Sequence, residues 1–378
     1  MALSEDQRLI QDTARQFAFD RLRPNAGTWD RGHIFPKDVI REAASLGFAG
    51  IYVREDVGGS ALGRLDAALV FEQLARGCVA TSAFISIHNM ASWMIDRFGD
   101  EEQRQRWLPR LTAMDLMASY ALTEPGSGSD AAALRTTARK DGNSHYVLNG
   151  AKAFISGAPE NDLYVCMVRT GEAGPKGIST LVIEKGTPGL SFGKQEDKMG
   201  WNAQPTAQVI FEDCRVPVEN RLNVEGFGFK IAMMGLDGGR LNIAASSLGG
   251  AQDAFERAWR YSRERHAFGQ PIGDFQATQF KLADMATDLE AARVFLYEAA
   301  ARLDAQDPEA TKFCAMAKRF VTDAGFRVAN EALQIHGGYG YLADYEVERI
   351  VRDVRVNQIL EGTNEIMRVI IARELGKG

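Results

Sequence analysis

In "FQATQFKLADMATDLEAARVFLYEAAARL", Phe275, Leu282, Leu289, Leu296 and Leu303 stand seven residues apart, with Met285, Ala292 and Ala299 between them. Side chains three and four residues apart share one face of an α-helix, so the spacing draws an apolar stripe along roughly eight turns. Such a stripe is buried only against other helices, either of the same chain or of a second subunit. The seam predicts a helical bundle at the C-terminal end, around which the rest must be arranged. The same period marks "DAALVFEQLARG" and "EEQRQRWLPRLTAM" near the start. Between them the texture changes. "HYVLNGAKAFISGA", "DLYVCMVRT", "GISTLVIEKG" and "AQVIFEDCRVP" are short β-rich runs cut by Gly, Pro and Asn-Gly turns. The expectation is a mainly α protein with a middle β domain: a helical domain over 1–118, a β domain over 119–222 and a helical bundle domain over 223–378.

Composition narrows the functions open to such a chain. A net charge of -6 over 378 residues offers no large basic surface, so no nucleic acid is expected as a partner. No apolar run approaches the ~20 residues that span a bilayer, so no membrane is expected either. The first residues, "MALSEDQRLIQDTARQFAFD", carry acids early and place Ser4 and Gln7 as a capping box. They read as an amphipathic helix and not as a signal or transit peptide, which points to a cytoplasmic location. Cys78, Cys166, Cys214 and Cys314 lie far apart, as reduced, buried thiols do. The five histidines show no ligand spacing, and no protein-held metal is expected.

Two segments, "GSGSDA" and "GYGYLA", match the dinucleotide pattern GxGxxA, but neither lies between a strand and a helix of a βαβ unit. A nicotinamide-binding domain is therefore rejected. The first segment belongs instead to "YALTEPGSGSD", a loop rich in hydroxyls and backbone N–H groups that reads either as a ligand cradle or as a turn entering the β domain. In "VNQILEGTNEIMR", Glu361 follows the apolar pair Ile359–Leu360 and precedes Gly362. It is either a solvated acid at a helix end, with Gly362 as the C-cap, or a carboxylate in apolar surroundings able to take a proton near neutral pH.

Five segments in order, "YALTEPGSGSD", "NGAKAFIS", "RHAFGQPIGDFQ", "QIHGGYGY" and "ILEGTNEIMR", resemble the acyl-CoA dehydrogenase family over essentially the whole chain. "GLDGGRLNIA", "KAFISGA" and "ILEGTNEIMR" look most like its isobutyryl-CoA branch, which acts in valine breakdown. The resemblance implies an N-terminal helical domain, a β-barrel-like middle domain and a C-terminal four-helix bundle, assembled as a homotetramer. It implies FAD-dependent conversion of isobutyryl-CoA to methacrylyl-CoA, with electron-transferring flavoprotein as the electron acceptor. A straight short-chain or 2-methylbutyryl-type dehydrogenase, an acyl-CoA oxidase and a DNA-associated flavoprotein relative stay open as alternatives.

Carried over position by position, the resemblance makes Glu361 the base for the α-proton. Isovaleryl- and long-chain-type members carry the base on the earlier helix, where this chain has Gly239. Tyr120, Leu122, Thr123, Gly128 and Ser129 become the first flavin-binding segment, with Ser129 also near the CoA arm. Phe154, Ile155 and Ser156 become the second, Phe154 and Ser156 replacing the Trp and Thr of many members. Arg265 takes the FAD pyrophosphate, and Phe268, Phe275, Gln276, Gln334, Gly337 and Gly338 also contact FAD, in this family that of a neighbouring subunit. Thr363, Asn364 and Glu365 continue the flavin contact after the base. Asp237, Gly238, Gly239, Arg240, Gly362 and Arg373 hold substrate. Gly238 and Gly239 read as a wall without side chains that admits a branch at Cα, or as a loosely started helix. Arg265 alternatively reads as an exposed charge, and Arg373 as half of a surface ion pair.

Overall fold

The computed structural model describes residues 3–376. Helix α1 (Glu5–Phe17) opens on the capping box, Ser4 and Gln7 exchanging two hydrogen bonds of 3.1 Å. A π-helical turn, Ala18–Leu22, leads to α2 (Ala26–Gly32) and α3 (Lys37–Ala44). Then come α4 (Arg64–Gly77), α5 (Val79–Phe98) and α6 (Glu101–Thr112). Every residue of α4 except Asp66 is buried, which demands partners for its charges. Glu72 accepts from Arg293 at 3.0 Å and from the Tyr297 hydroxyl at 2.6 Å, and Arg76 pairs with Glu256.

Strands β1 (Ala118–Ala121), β2 (Thr137–Asp141), β3 (His145–Ser156), β4 (Leu163–Arg169), β5 (Ile178–Glu184), β6 (Leu190–Phe192), β7 (Thr206–Pro217) and β8 (Arg221–Leu222) form one sheet. Its order is β6-β7-β3-β2-β4-β5-β8, with β1 running parallel beside β4. Alternate residues of the strands, among them Tyr146, Leu148, Tyr164, Cys166 and Phe211, make its core. The β3–β7 ladder slips between Lys152 and Ile155. Such a bulge re-aims a side chain, and here it turns Phe154 outward at φ 58° and 67% exposed.

The helical period returns with α7 (Gly228–Glu264), whose 37 residues run for roughly 55 Å. A hairpin of β9 (His266–Ala267) and β10 (Gln270–Pro271) joins it to α8 (Gln276–Asp304). There follow α9 (Ala310–His336), α10 (Val347–Arg355) and α11 (Asn364–Leu375). Along α8 the seam is buried at Leu282, Met285, Leu289, Ala292, Leu296 and Ala299, each leucine worth roughly 1.5–3 kcal/mol. Phe275 precedes the helix as its N-cap residue, and Leu303 packs half-buried on the same core.

Candidate active site

Glu361 lies between the 3₁₀ turn that ends at Gln358 and the start of α11 at Asn364. The C-cap reading therefore fails, since no helix ends at Gly362. Glu361 and Gly362 instead make a turn of two left-handed residues, φ 56° and 90°. That conformation costs a non-glycine residue roughly 1–2 kcal/mol, so the surroundings must hold it. Arg240 Nε, from α7, donates to the Glu361 carbonyl at 3.4 Å, and Lys318 Nζ, from α9, donates to the Gly362 carbonyl at 2.8 Å. The turn aims the carboxylate into a cleft of about 380 Å³.

The residue keeps partial exposure to this cleft, but its Oε2 is shut from water and has no hydrogen-bond partner among the described residues. Burial pushes the Glu361 pKa up to about 7, against the downward pull of Arg240 and Lys318. The result is a carboxylate that can take up a proton near neutral pH, the property that proton abstraction needs.

Gly239 lies directly beneath it. A Cβ there would stand 2.7 Å from Glu361 Oε2 and 3.0 Å from Met90 Sδ, so the missing side chain makes room for the carboxylate. Gly238 turns elsewhere: its Cβ would meet the Arg64 guanidinium at 2.3 Å. The glycine pair is thus no wall for a substrate branch, because a helix sends consecutive side chains about 100° apart. Asp237 is likewise committed within the fold. It pairs with Arg240 at 2.6 Å and accepts from Thr311 at 2.8 Å, leaving Arg240 to line the cleft.

The opposite wall comes from the end of β1 and the loop after it. Tyr120, Leu122, Thr123, Gly128 and Ser129 line it, joined by Phe154, Ile155 and Ser156 from the β3 bulge. The Ala153 N–H donates to the Thr123 carbonyl at 2.8 Å, tying the two segments together. Beneath them lies an ion pair that the sequence reading missed. Lys152, fully buried, donates to Glu124 at 2.8 Å and to the Leu122 carbonyl at 3.2 Å. Glu124 also accepts from the Arg135 and Thr136 N–H groups, which pins the loop to β2. Trp201, another residue not anticipated, lines the same cleft at φ 56°, its backbone N–H donating to Asp353 Oδ1 at 2.6 Å.

These residues fit a planar, polar-edged cofactor such as the flavin of FAD. The Tyr120 hydroxyl is buried without a partner among the described residues, and a Cβ at Gly126 or Gly128 would meet open space. Three expected flavin contacts do not line the cleft. Thr363 caps α11 by accepting from the Ile366 N–H, and Glu365 faces outward near Arg368. Asn364 is buried, with its side chain given to Lys318, Thr322 and Asp323. Arg373 does line the cleft and also pairs with Glu374 at 3.1 Å, so both of its readings hold in part.

A second set of expected contacts gathers elsewhere. Arg265, Gly337 and Gly338 share a groove of about 360 Å³ with Tyr339, whose ring lies 5.4 Å from the guanidinium. Gln276 and Gln334 are exposed, and Phe268 stands 95% exposed, edge-on to Phe275 at 6.1 Å. No described residue lines both this groove and the Glu361 cleft. Another groove, about 930 Å³ between α7 and α8, is mostly apolar; its one carboxylate, Asp274, is exposed. The carboxylate with a raised pKa lies in the smaller cleft.

Lys318, in contact with the Glu361–Gly362 turn, is the side chain most plainly overlooked. It had a signal: it falls in step with Cys314, Val321, Gly325 and Val328 on the buried face of α9, where a lysine is out of place.

Three family models match the chain: acyl-CoA dehydrogenase N-terminal domain over 4–115, middle domain over 119–214 and C-terminal domain over 226–376. The chain is 58% identical over 378 residues to a mitochondrial isobutyryl-CoA dehydrogenase of Dictyostelium discoideum, covering 100% of this chain and 91% of the relative. It is 56% identical over 375 residues to its namesake from Bos taurus, with 99% and 90% covered. The structure of butyryl-CoA dehydrogenase from Megasphaera elsdenii superposes with a TM-score of 0.96 at 39% identity, covering 99% of each chain. With all three domain models matched in order along the chain, and relatives at 56–58% identity over nearly its whole length, the chain belongs to the acyl-CoA dehydrogenase family.

Proposed function

We propose that the protein oxidises a short, α-branched acyl-CoA, isobutyryl-CoA foremost, to the 2,3-unsaturated thioester methacrylyl-CoA, as a step of valine breakdown. The observation that carries the reading is Glu361 at the cleft, partly exposed, with its Oε2 buried and unpartnered among the described residues. Glu361 Oε2 takes the α-proton, and the electron pair of that C–H bond forms the new C=C bond as a hydride leaves Cβ. FAD, when bound, accepts that hydride and later gives its electrons to electron-transferring flavoprotein. The loop 120–129 and the segment 154–156 hold the flavin across from the base. Arg240 fixes the turn below it, and Arg373 at the mouth suits the anionic CoA arm. Arg265, Gln276, Gln334, Gly337 and Gly338 serve the FAD of a neighbouring subunit in a homotetramer; the place of Arg265, Gly337 and Gly338 on a separate groove and the exposure of the two glutamines support this reading.

The branched substrate rests on likeness to the isobutyryl-CoA dehydrogenases, not on Gly238 and Gly239, whose space is already taken. The deciding experiment is an anaerobic panel of acyl-CoA thioesters against the flavinated protein, following loss of the flavin band. Isobutyryl-CoA should give the highest kcat/KM. A tenfold preference for butyryl-CoA sinks the branched reading and leaves a straight short-chain dehydrogenase. Peroxide formed without an added acceptor would mark an oxidase.

A further inference from the structure

Lys318 sits in mid-α9 with no exposed surface. A buried ammonium is tolerated only where its donors find acceptors. Its Nζ donates to the Gly362 carbonyl at 2.8 Å and to Asn364 Oδ1 at 2.9 Å. Asn364 in turn donates to Asp323 Oδ1 at 2.7 Å, and the same oxygen receives the Gln358 amide at 2.7 Å. Gln358 and Asn364 lie three residues before and after the base. Helix α9 therefore grips both ends of the 358–364 segment, while its lysine grips the middle.

We propose that Lys318 is the positioning residue for the base: it braces the left-handed Glu361–Gly362 turn through the Gly362 carbonyl, and its charge sets the field in which Glu361 ionises. The inference rests on Glu361 being the base. The charged groups acting on Lys318 are Glu361 from the turn, Arg240 from α7, Asp323 from its own helix and Glu365 from α11. Burial pulls Lys318 down to about 7, and Glu361 foremost among the charges pushes it back up. Lys318 in its turn pulls Glu361 down, so each holds the other in its charged form. Without the cation only Arg240 would oppose the desolvation of the carboxylate.

The test compares wild type, Lys318→Met and Lys318→Gln as flavinated proteins, with kcat and KM for isobutyryl-CoA measured from pH 6 to 9. In Lys318→Met, kcat at pH 7 should fall about tenfold or more while KM moves less than about threefold. The acid limb of kcat/KM should shift upward by about half a pH unit or more, because a cation beside the base is gone. Lys318→Gln keeps a donor for the Gly362 carbonyl but no charge. It should regain kcat at high pH and keep the displaced limb. An acid limb unchanged in both flavinated variants overturns the proposal.

If neither variant folds, a crystal structure of the flavinated wild type at pH 6 decides. An Nζ within about 3.2 Å of the Gly362 oxygen supports the brace, and one beyond that distance overturns it. An active Glu361→Gln sinks the base assignment itself. An unmoved limb beside an inactive Glu361→Gln sinks only the role of Lys318.

Discussion

The burial that raises the pKa of Glu361 carries a stability cost. Its carboxyl rises on folding from the ordinary 4.5 to about 7, because burial disfavours the charged form. A raised carboxyl favours the folded state most below pH 4.5, and that preference is lost as the pH climbs through 7. Glu361→Gln should therefore behave oppositely in two measurements. Turnover should fall at least ~10²-fold with flavin retained, and a variant keeping a tenth of wild-type rate would exclude the base role. Stability at pH 8 should rise by on the order of 1–3 kcal/mol in denaturant titration, less what Lys318 forfeits with its counter-charge. The gain should vanish toward pH 4.5, where wild type is also neutral there. Equal stabilities across the range would mean that the carboxylate is not held in a dry site.

At the scale of elements, the crossing of α7 with the 358–364 turn decides the fate of the glycine pair. Gly239→Leu should not discriminate by substrate width. Its side chain would enter the place of Glu361 Oε2 and lower kcat for isobutyryl-CoA and butyryl-CoA alike. A loss confined to the branched thioester would restore the wall reading. Periodicity made α8 legible in the sequence, since burial there follows one stripe of one helix. Glu361 was legible too, as the odd residue in an apolar run. The roles of Lys318 and Lys152 were harder to read because their acceptors come from other elements: Gly362 lies 44 residues from Lys318, and Glu124 lies 28 from Lys152. Gly238 and Gly239 show the same limit. Sequence told that space was left there, but only packing tells what fills it.

At the scale of the molecule, one chain leaves apolar surface uncovered. Phe280 and Val294 on the outer side of α8 are 59% and 61% exposed, and Phe268 stands out from the β9–β10 hairpin. Exposed apolar residues of this size are what a subunit interface covers, and in the proposed tetramer assembly and cofactor retention support each other. Arg265→Ala removes a cation from the groove it shares with Gly337 and Gly338. It should lower flavin content after gel filtration and shift the protein toward smaller assemblies. A fully flavinated, unchanged oligomer would detach Arg265 from the cofactor.

The near-contact of Gly239 with Glu361 ties together two choices made 122 positions apart in the chain. A side chain at 239 would begin 2.7 Å from the place that Glu361 Oε2 fills, so one of the two positions must stay bare for the other to carry its carboxylate. A glycine at 361 would relieve the left-handed backbone that glutamate now endures. The pair is a single arrangement, and a change at either position is felt first at the other.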